Sequence, residues 1–93
     1  MEKFFVVGTN KMSIEDEKVF KVKLEKRGLI CWHWIDNIWL IKDKRGSISC
    51  SDIRNLLEAR NLVLEVEPIT WSGRGPASDD KNMFKWIKNF WSS

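Results

Sequence analysis

Two runs of β-branched and aromatic residues, Leu29 to Ile35 and Ile38 to Lys42, meet at Asp36-Asn37, and no other stretch restricts the fold as strongly. Such side chains favour a strand, and an Asx-rich pair between two strands is a hairpin signal. The stretch also holds three of the six tryptophans. A two-residue turn sets Ile35 opposite Ile38, Trp34 opposite Trp39, His33 opposite Leu40 and Trp32 opposite Ile41. One face then carries Ile30, Trp32, Trp34, Trp39 and Ile41, all apolar, and is expected to meet a helix layer. The other carries Cys31, His33, Ile35, Ile38, Leu40 and Lys42, a mixed and more open surface.

The flanking segments complete a pattern. Phe4 to Thr9 is an uncharged strand-former that reads as an interior strand. Ser13 can cap a helix with Glu15, Asp16 and Glu17 in its first turn, Lys23, Lys26 and Arg27 in its last, and Gly28 as its stop. Phe20 to Leu24 also alternates like a strand, so the caps decide for helix. Beyond the polar loop Asp43 to Gly46, Ser49 or Ser51 starts a second helix with a stripe of Ile53, Leu56, Leu57 and Arg60. Leu62 to Glu67 is a half-buried strand that Pro68 ends. After a loop rich in Gly, Ser and Pro, Asp79 or Asp80 starts a third helix, with Met83, Phe84, Ile87, Phe90 and Trp91 on its apolar side.

Strand, helix, strand, strand, helix, strand is the order of the ferredoxin-like split βαβ fold. The expectation is an α+β domain over 1–93: a βαββαβ core with a four-stranded antiparallel sheet over 1–69, a Gly/Pro loop over 70–78 and a C-terminal helix over 79–92. Both crossover helices fall on one sheet face. His33, Lys42, Glu65 and Glu67 are expected on the other, under the terminal helix or a second subunit.

Ninety-three residues, 43% hydrophobic and 31% charged, suffice for a globular core without metal or disulfide help. No apolar run approaches the ~18 residues of a membrane span, and MEKFFVVGTN lacks a long apolar signal core, so no membrane partner and a cytoplasmic location are expected. Cys31 and Cys50 are then read as reduced, partly buried thiols, with a disulfide between them as the alternative. The net charge of +3 permits nucleic acid without demanding it, because acidic residues are interspersed.

Four segments, Trp32-His-Trp-Ile-Asp-Asn-Ile-Trp-Leu-Ile, Ser51-Asp-Ile-Arg-Asn-Leu-Leu, Leu62-Val-Leu-Glu-Val and Trp71-Ser-Gly with Trp86-Ile-Lys, give the chain a family likeness. It resembles small bacterial and phage ferredoxin-fold proteins related to the small subunit of the CRISPR adaptation complex. The resemblance implies the same fold, a homodimer and a link to nucleic acid or to defence against phages and mobile elements. Members that cut nucleic acid carry an aspartate at the end of the first strand as a metal ligand. Here that end is Gly8-Thr9-Asn10, which offers no carboxylate for a hard divalent cation.

No catalytic, metal or cofactor motif stands out. His33 and Asp36 are ill-placed for an acid–base pair, and Cys31, His33 and Cys50 lack the spacing of a zinc site. Asp36, Glu65 and Glu67 are the carboxylates left for a nuclease. The Trp71-Ser-Gly-Arg-Gly-Pro loop can offer a phosphate its backbone N–H groups and Arg74, or can be a rigid turn docked through Trp71. Tryptophans beside basic residues can also stack on single-stranded bases. Binding is therefore expected at His33, Lys42, Arg45, Trp71 and Arg74. The expected function is that of a non-enzymatic homodimer with a macromolecular partner in a phage or mobile-element setting, a nucleic-acid binder or degenerate nuclease being the alternative.

Overall fold

The computed structural model describes residues 1–75 and 80–91. In chain order the elements are β1 (Lys3–Thr9), α1 (Ile14–Lys26), β2 (Ile30–Ile35), β3 (Ile38–Asp43), α2 (Cys50–Arg54), β4 (Asn61–Val66) and α3 (Asp80–Phe90). The strands form one antiparallel sheet in the order β2-β3-β1-β4. This is the ferredoxin-like α+β arrangement with an added C-terminal helix. Pro76, Ala77, Ser78 and Ser92, and the alternative helix start at Asp79, lie outside the described residues.

β1 takes an interior position because its uncharged run can be buried on both sides. Phe4 and Phe5 point to opposite faces and both are buried, and Val7 follows Phe5 inward. The caps fix α1. Ser13 Oγ accepts the Asp16 N–H at 3.1 Å, and Gly28 adopts φ 73° at the other end. There the N–H of Gly28 donates to Glu25 and that of Leu29 to Leu24, a Schellman closure. Only Phe20 and Leu24 of α1 are buried, one helical turn apart, so this segment is a helix and not an alternating strand. α2 is shorter than its apolar stripe predicts. It ends at Arg54, where Leu56 and Leu57 donate back to Ile53 and Arg54 in tighter three-residue steps.

Apolar side chains fill both faces of the sheet. Phe5, Val7, Trp39 and Ile41 pack under α1 and α2 with Phe20, Leu24 and Ile53. On the outer face Phe4 and Trp32 meet Met83, Phe84 and Ile87 of α3 and Trp91 just past its end. Phe4 and Trp91 pack edge to face, their centroids 5.4 Å apart. Each buried side chain of this size contributes roughly 1.5–3 kcal/mol by leaving water, so α3 is a structural layer of the fold. Among the described residues no helix is long and apolar enough to cross a membrane.

The hairpin register differs from the expected one. Trp32 pairs with Leu40 and Cys31 with Ile41, while Ile35 still pairs with Ile38, so β2 carries a bulge between them. The tryptophans are therefore divided: Trp39 lies beneath the helices and Trp32 beneath α3. The expected open face is corrected as well. His33 belongs to the α1 side, and Glu65 stands opposite Phe5 on the helical face, reaching Lys3 at 4.0 Å. The outer side of β4 carries Leu62 and Leu64. Apolar residues on both faces remove the contrast from which alternation is read, and one extra residue in β2 exchanges sides.

Candidate functional site

Polar chemistry collects at the bulge. His33 and Trp34 together face the single residue Trp39, and the imidazole lies flat on that indole, centroids 3.8 Å apart and planes 3° apart. Glu17, from the first turn of α1, meets Nε2 at 2.5 Å, and the carbonyl of Ile38 faces Nδ1 at 2.9 Å. A carbonyl only accepts, so Nδ1 carries a proton and donates. Nε2 and the Glu17 carboxylate make a second hydrogen bond. Both ring nitrogens are thus committed inside the protein.

Cys31 lies two residues earlier on the same strand. Burial pushes its thiol up, Lys21 opposes the rise and Glu25 adds to it, so the thiol form is favoured. With both His33 nitrogens engaged, no imidazole is available to take the Cys31 proton, and a Cys–His nucleophile is not assembled. Cys31 and Cys50 are unpaired and half-buried.

Beside this cluster a cavity of about 380 Å³ opens between α1, the β2 edge and α3. Four tryptophans, Trp32, Trp34, Trp39 and Trp86, line it with Lys18 and Lys21. Trp32 is fixed by donating its indole N–H to the Met83 carbonyl at 2.6 Å, and Trp39 by an edge-to-face contact with Phe20 at 4.8 Å. Trp34, on the bulge, is exposed. Sequence reasoning singled out His33 here but not Glu17, Lys18, Lys21 or Trp86. Glu17 reads as a dipole partner and Trp86 as packing until β2 and the two helices are placed together.

The remaining expected binding residues are dispersed. Lys42 is 7% exposed on the outer face, its ammonium 3.1 Å from Glu2 and 5.4 Å from the centre of the Phe4 ring. Arg45 lies in the loop after β3, beside a cleft where Lys26 and Arg27 face Asp43 and Asp52. Trp71 packs on Phe84 at 5.4 Å, and a Cβ on Gly73 would come within 2.6 Å of that ring, so the described part of the loop lies against α3. Arg74 is exposed. The five residues do not form one site.

Asp43 organises the loop that carries Arg45. Its carboxylate accepts N–H groups from Arg45 at 3.0 Å, Ser47 at 2.8 Å and Ile48 at 2.9 Å. Burial alone would raise this carboxyl, but the backbone donors of Ile48, Arg45, Gly46 and Ser47 outweigh it and hold it below the usual carboxylate range. Asp52 is lowered by its capping-box bonds with Ser49. Asp36 sits at the hairpin turn, at the end of the sheet where β1 finishes. Glu65 pairs near the start of β1, and Glu67 follows β4 at that opposite end. No described trio of His, Cys, Asp or Glu is grouped closely enough to hold a metal ion.

α3 covers only one end of the outer face. At the other, Ile35, Ile38, Gly8 and Leu62 form a row across all four strands, with Leu64 beside it. The four side chains Ile35, Ile38, Leu62 and Leu64 are 46%, 37%, 64% and 49% exposed. Asn10, Asn37, Arg60 and Asn61 border this end. No protein-family model matches the chain, nor does any curated protein or solved structure.

Proposed function

We propose that the chain is a non-enzymatic interaction protein that works as a homodimer, its two copies meeting over the uncovered end of the outer sheet face. The observation that carries this reading is the exposed row of Ile35, Ile38 and Leu62, with Leu64 beside it. Contiguous apolar surface of this kind marks an interaction site more often than scattered single residues do. A second copy suits it because the row holds no charge and its border is mainly neutral asparagine, so the patch is self-complementary under a two-fold axis. Two sheets packed face to face at ~10 Å would bury the exposed side chains of both. Gly8, in the middle of the row, leaves room for a partner side chain to enter.

The dimer would then present its remaining surfaces to a macromolecular partner. The sequence resemblance supplies the setting, conflict with a phage or mobile element. Sedimentation equilibrium of the wild type and of a Leu62→Lys, Leu64→Lys double variant tests the self-association. A dimer that the double variant converts to a folded monomer is the expected result. A wild-type monomer at high protein concentration, or a dimer indifferent to both lysines, overturns it.

A further inference from the structure

We infer that the cavity between α1, the β2 edge and α3 is a binding site for a nucleotide, taken up as a flat heteroaromatic base with an attached phosphate. Four of the six tryptophans of the chain border this one space. That concentration is more than closing the core requires: Trp32 and Trp39 are buried and fixed, whereas Trp34 is exposed and Trp86 half-buried. Accessible indole faces beside a cleft are the surfaces on which a base stacks. At about 380 Å³ the space falls within the ~300–1,000 Å³ range of small-molecule sites.

Charge selects an anionic ligand. Glu17 is engaged by His33, so its carboxylate faces the imidazole as well as the cavity. Lys18 and Lys21 make no ion pair among the described residues and stand on the α1 wall. Burial keeps the Cys31 thiol neutral, so it adds no negative charge. The balance at the wall is positive, which suits a phosphate. β2 is also an edge strand, and its outward N–H and C=O groups have no neighbouring strand. They can read the donors and acceptors of a base edge, as an aliphatic anion would not require.

This inference does not rest on the dimer: Leu62 and Leu64, the positions that test the dimer, lie on β4 at the opposite edge of the sheet from β2, although Trp34 adjoins Ile35 of the dimer row. The shared chemistry, base plus phosphate, belongs both to a free mononucleotide and to one nucleotide of a single strand. The test is a titration of the full chain followed by calorimetry and by the indole N–H signals in a heteronuclear spectrum. The probes are adenosine monophosphate, adenosine, inorganic phosphate and short single-stranded oligoadenylates. Adenosine monophosphate is expected to bind with one-to-one stoichiometry, moving the Trp34 and Trp86 signals, and at least tenfold more tightly than adenosine. Lys18→Ala with Lys21→Ala should remove that tenfold difference. Trp34→Ala should weaken both ligands; all three side chains are exposed, and circular dichroism verifies the fold of each variant. If affinity stops rising at one nucleotide, the ligand is a free nucleotide; if it climbs with length, it is a strand, and either outcome supports the site. No saturable response to adenosine monophosphate, equal affinity for adenosine, or shifts confined to Trp71 and Trp91 overturn it.

Discussion

The indole N–H of Trp32 donates to the backbone carbonyl of Met83 across 2.6 Å, and through it the hairpin holds α3 against the sheet. Trp32 is also stacked on Phe84 at 6.3 Å, so one side chain supplies both a packing surface and a directional tie. Trp32→Phe keeps a ring and removes the donor. It should cost about 1–3 kcal/mol through the lost bond and the smaller ring. Urea denaturation measures the loss, and amide exchange should speed up in α3 before β1. An unchanged midpoint with unchanged exchange would count against the tie.

Asp43→Asn should destabilise the loop after β3 by about 1–3 kcal/mol at neutral pH, because an amide cannot accept on both sides as the carboxylate does. The pH dependence follows from the sign of the shift. The folded carboxyl lies below its ordinary value of ~3.9, so its stabilisation is present above ~3.9 and is lost as pH falls through the folded value. Asp52 acts in the same direction. Wild type should therefore lose stability more steeply than Asp43→Asn on acidification, read as thermal midpoints across an acid series; parallel curves would refute it.

Glu17 and His33 join α1 to the bulge, and a double-mutant cycle isolates that link. Glu17→Gln and His33→Phe should each destabilise, and the double variant by less than their sum, with a coupling of about 0.5–3 kcal/mol. Additive effects would mean that the pair contributes no coupling to the fold.

Gly46 has φ 69°, and a Cβ there would come 1.7 Å from the carbonyl oxygen of Met1. Gly46→Ala should therefore cost more than about 1 kcal/mol, since strain at positive φ adds to the displacement of the N-terminal segment. Gly28→Ala serves as the comparison: it shares the positive φ but has nothing within 4 Å of the added atom, so its loss should be smaller.

What could be read in the sequence was local. Ser13, Gly28 and Ser49 state where helices begin or end, because each cap acts within a few residues. The uncharged run of β1 states that the strand is interior, and the element order gives the topology. Which way each strand faces was not legible. Leu62 and Leu64 alternate with Val63 and Glu65, and an apolar side reads as a buried side until α3 is seen to end short of it. The site was hidden for a similar reason. His33 was visible as a lone histidine, but Glu17 precedes it by sixteen positions and Trp86 belongs to another layer, so only the fold makes them neighbours.

The bulge in β2 gives the hairpin an unequal sensitivity to different kinds of genetic change. A regular ladder assigns sides by counting from the turn, odd positions to one layer and even positions to the other. One surplus residue changes that count between Ile35 and Trp32, so Trp32 and Trp39 serve two separate layers instead of competing for one. Exchanging one apolar residue for another leaves the count intact. Deleting His33 or Trp34 removes the surplus residue and leaves a regular ladder in which Trp32 still faces Leu40 and Cys31 still faces Ile41. A one-residue deletion is thus absorbed at the bulge, at the cost of the His33–Trp34 pair, whereas one in the regular part of β2 exchanges the sides of the residues before it.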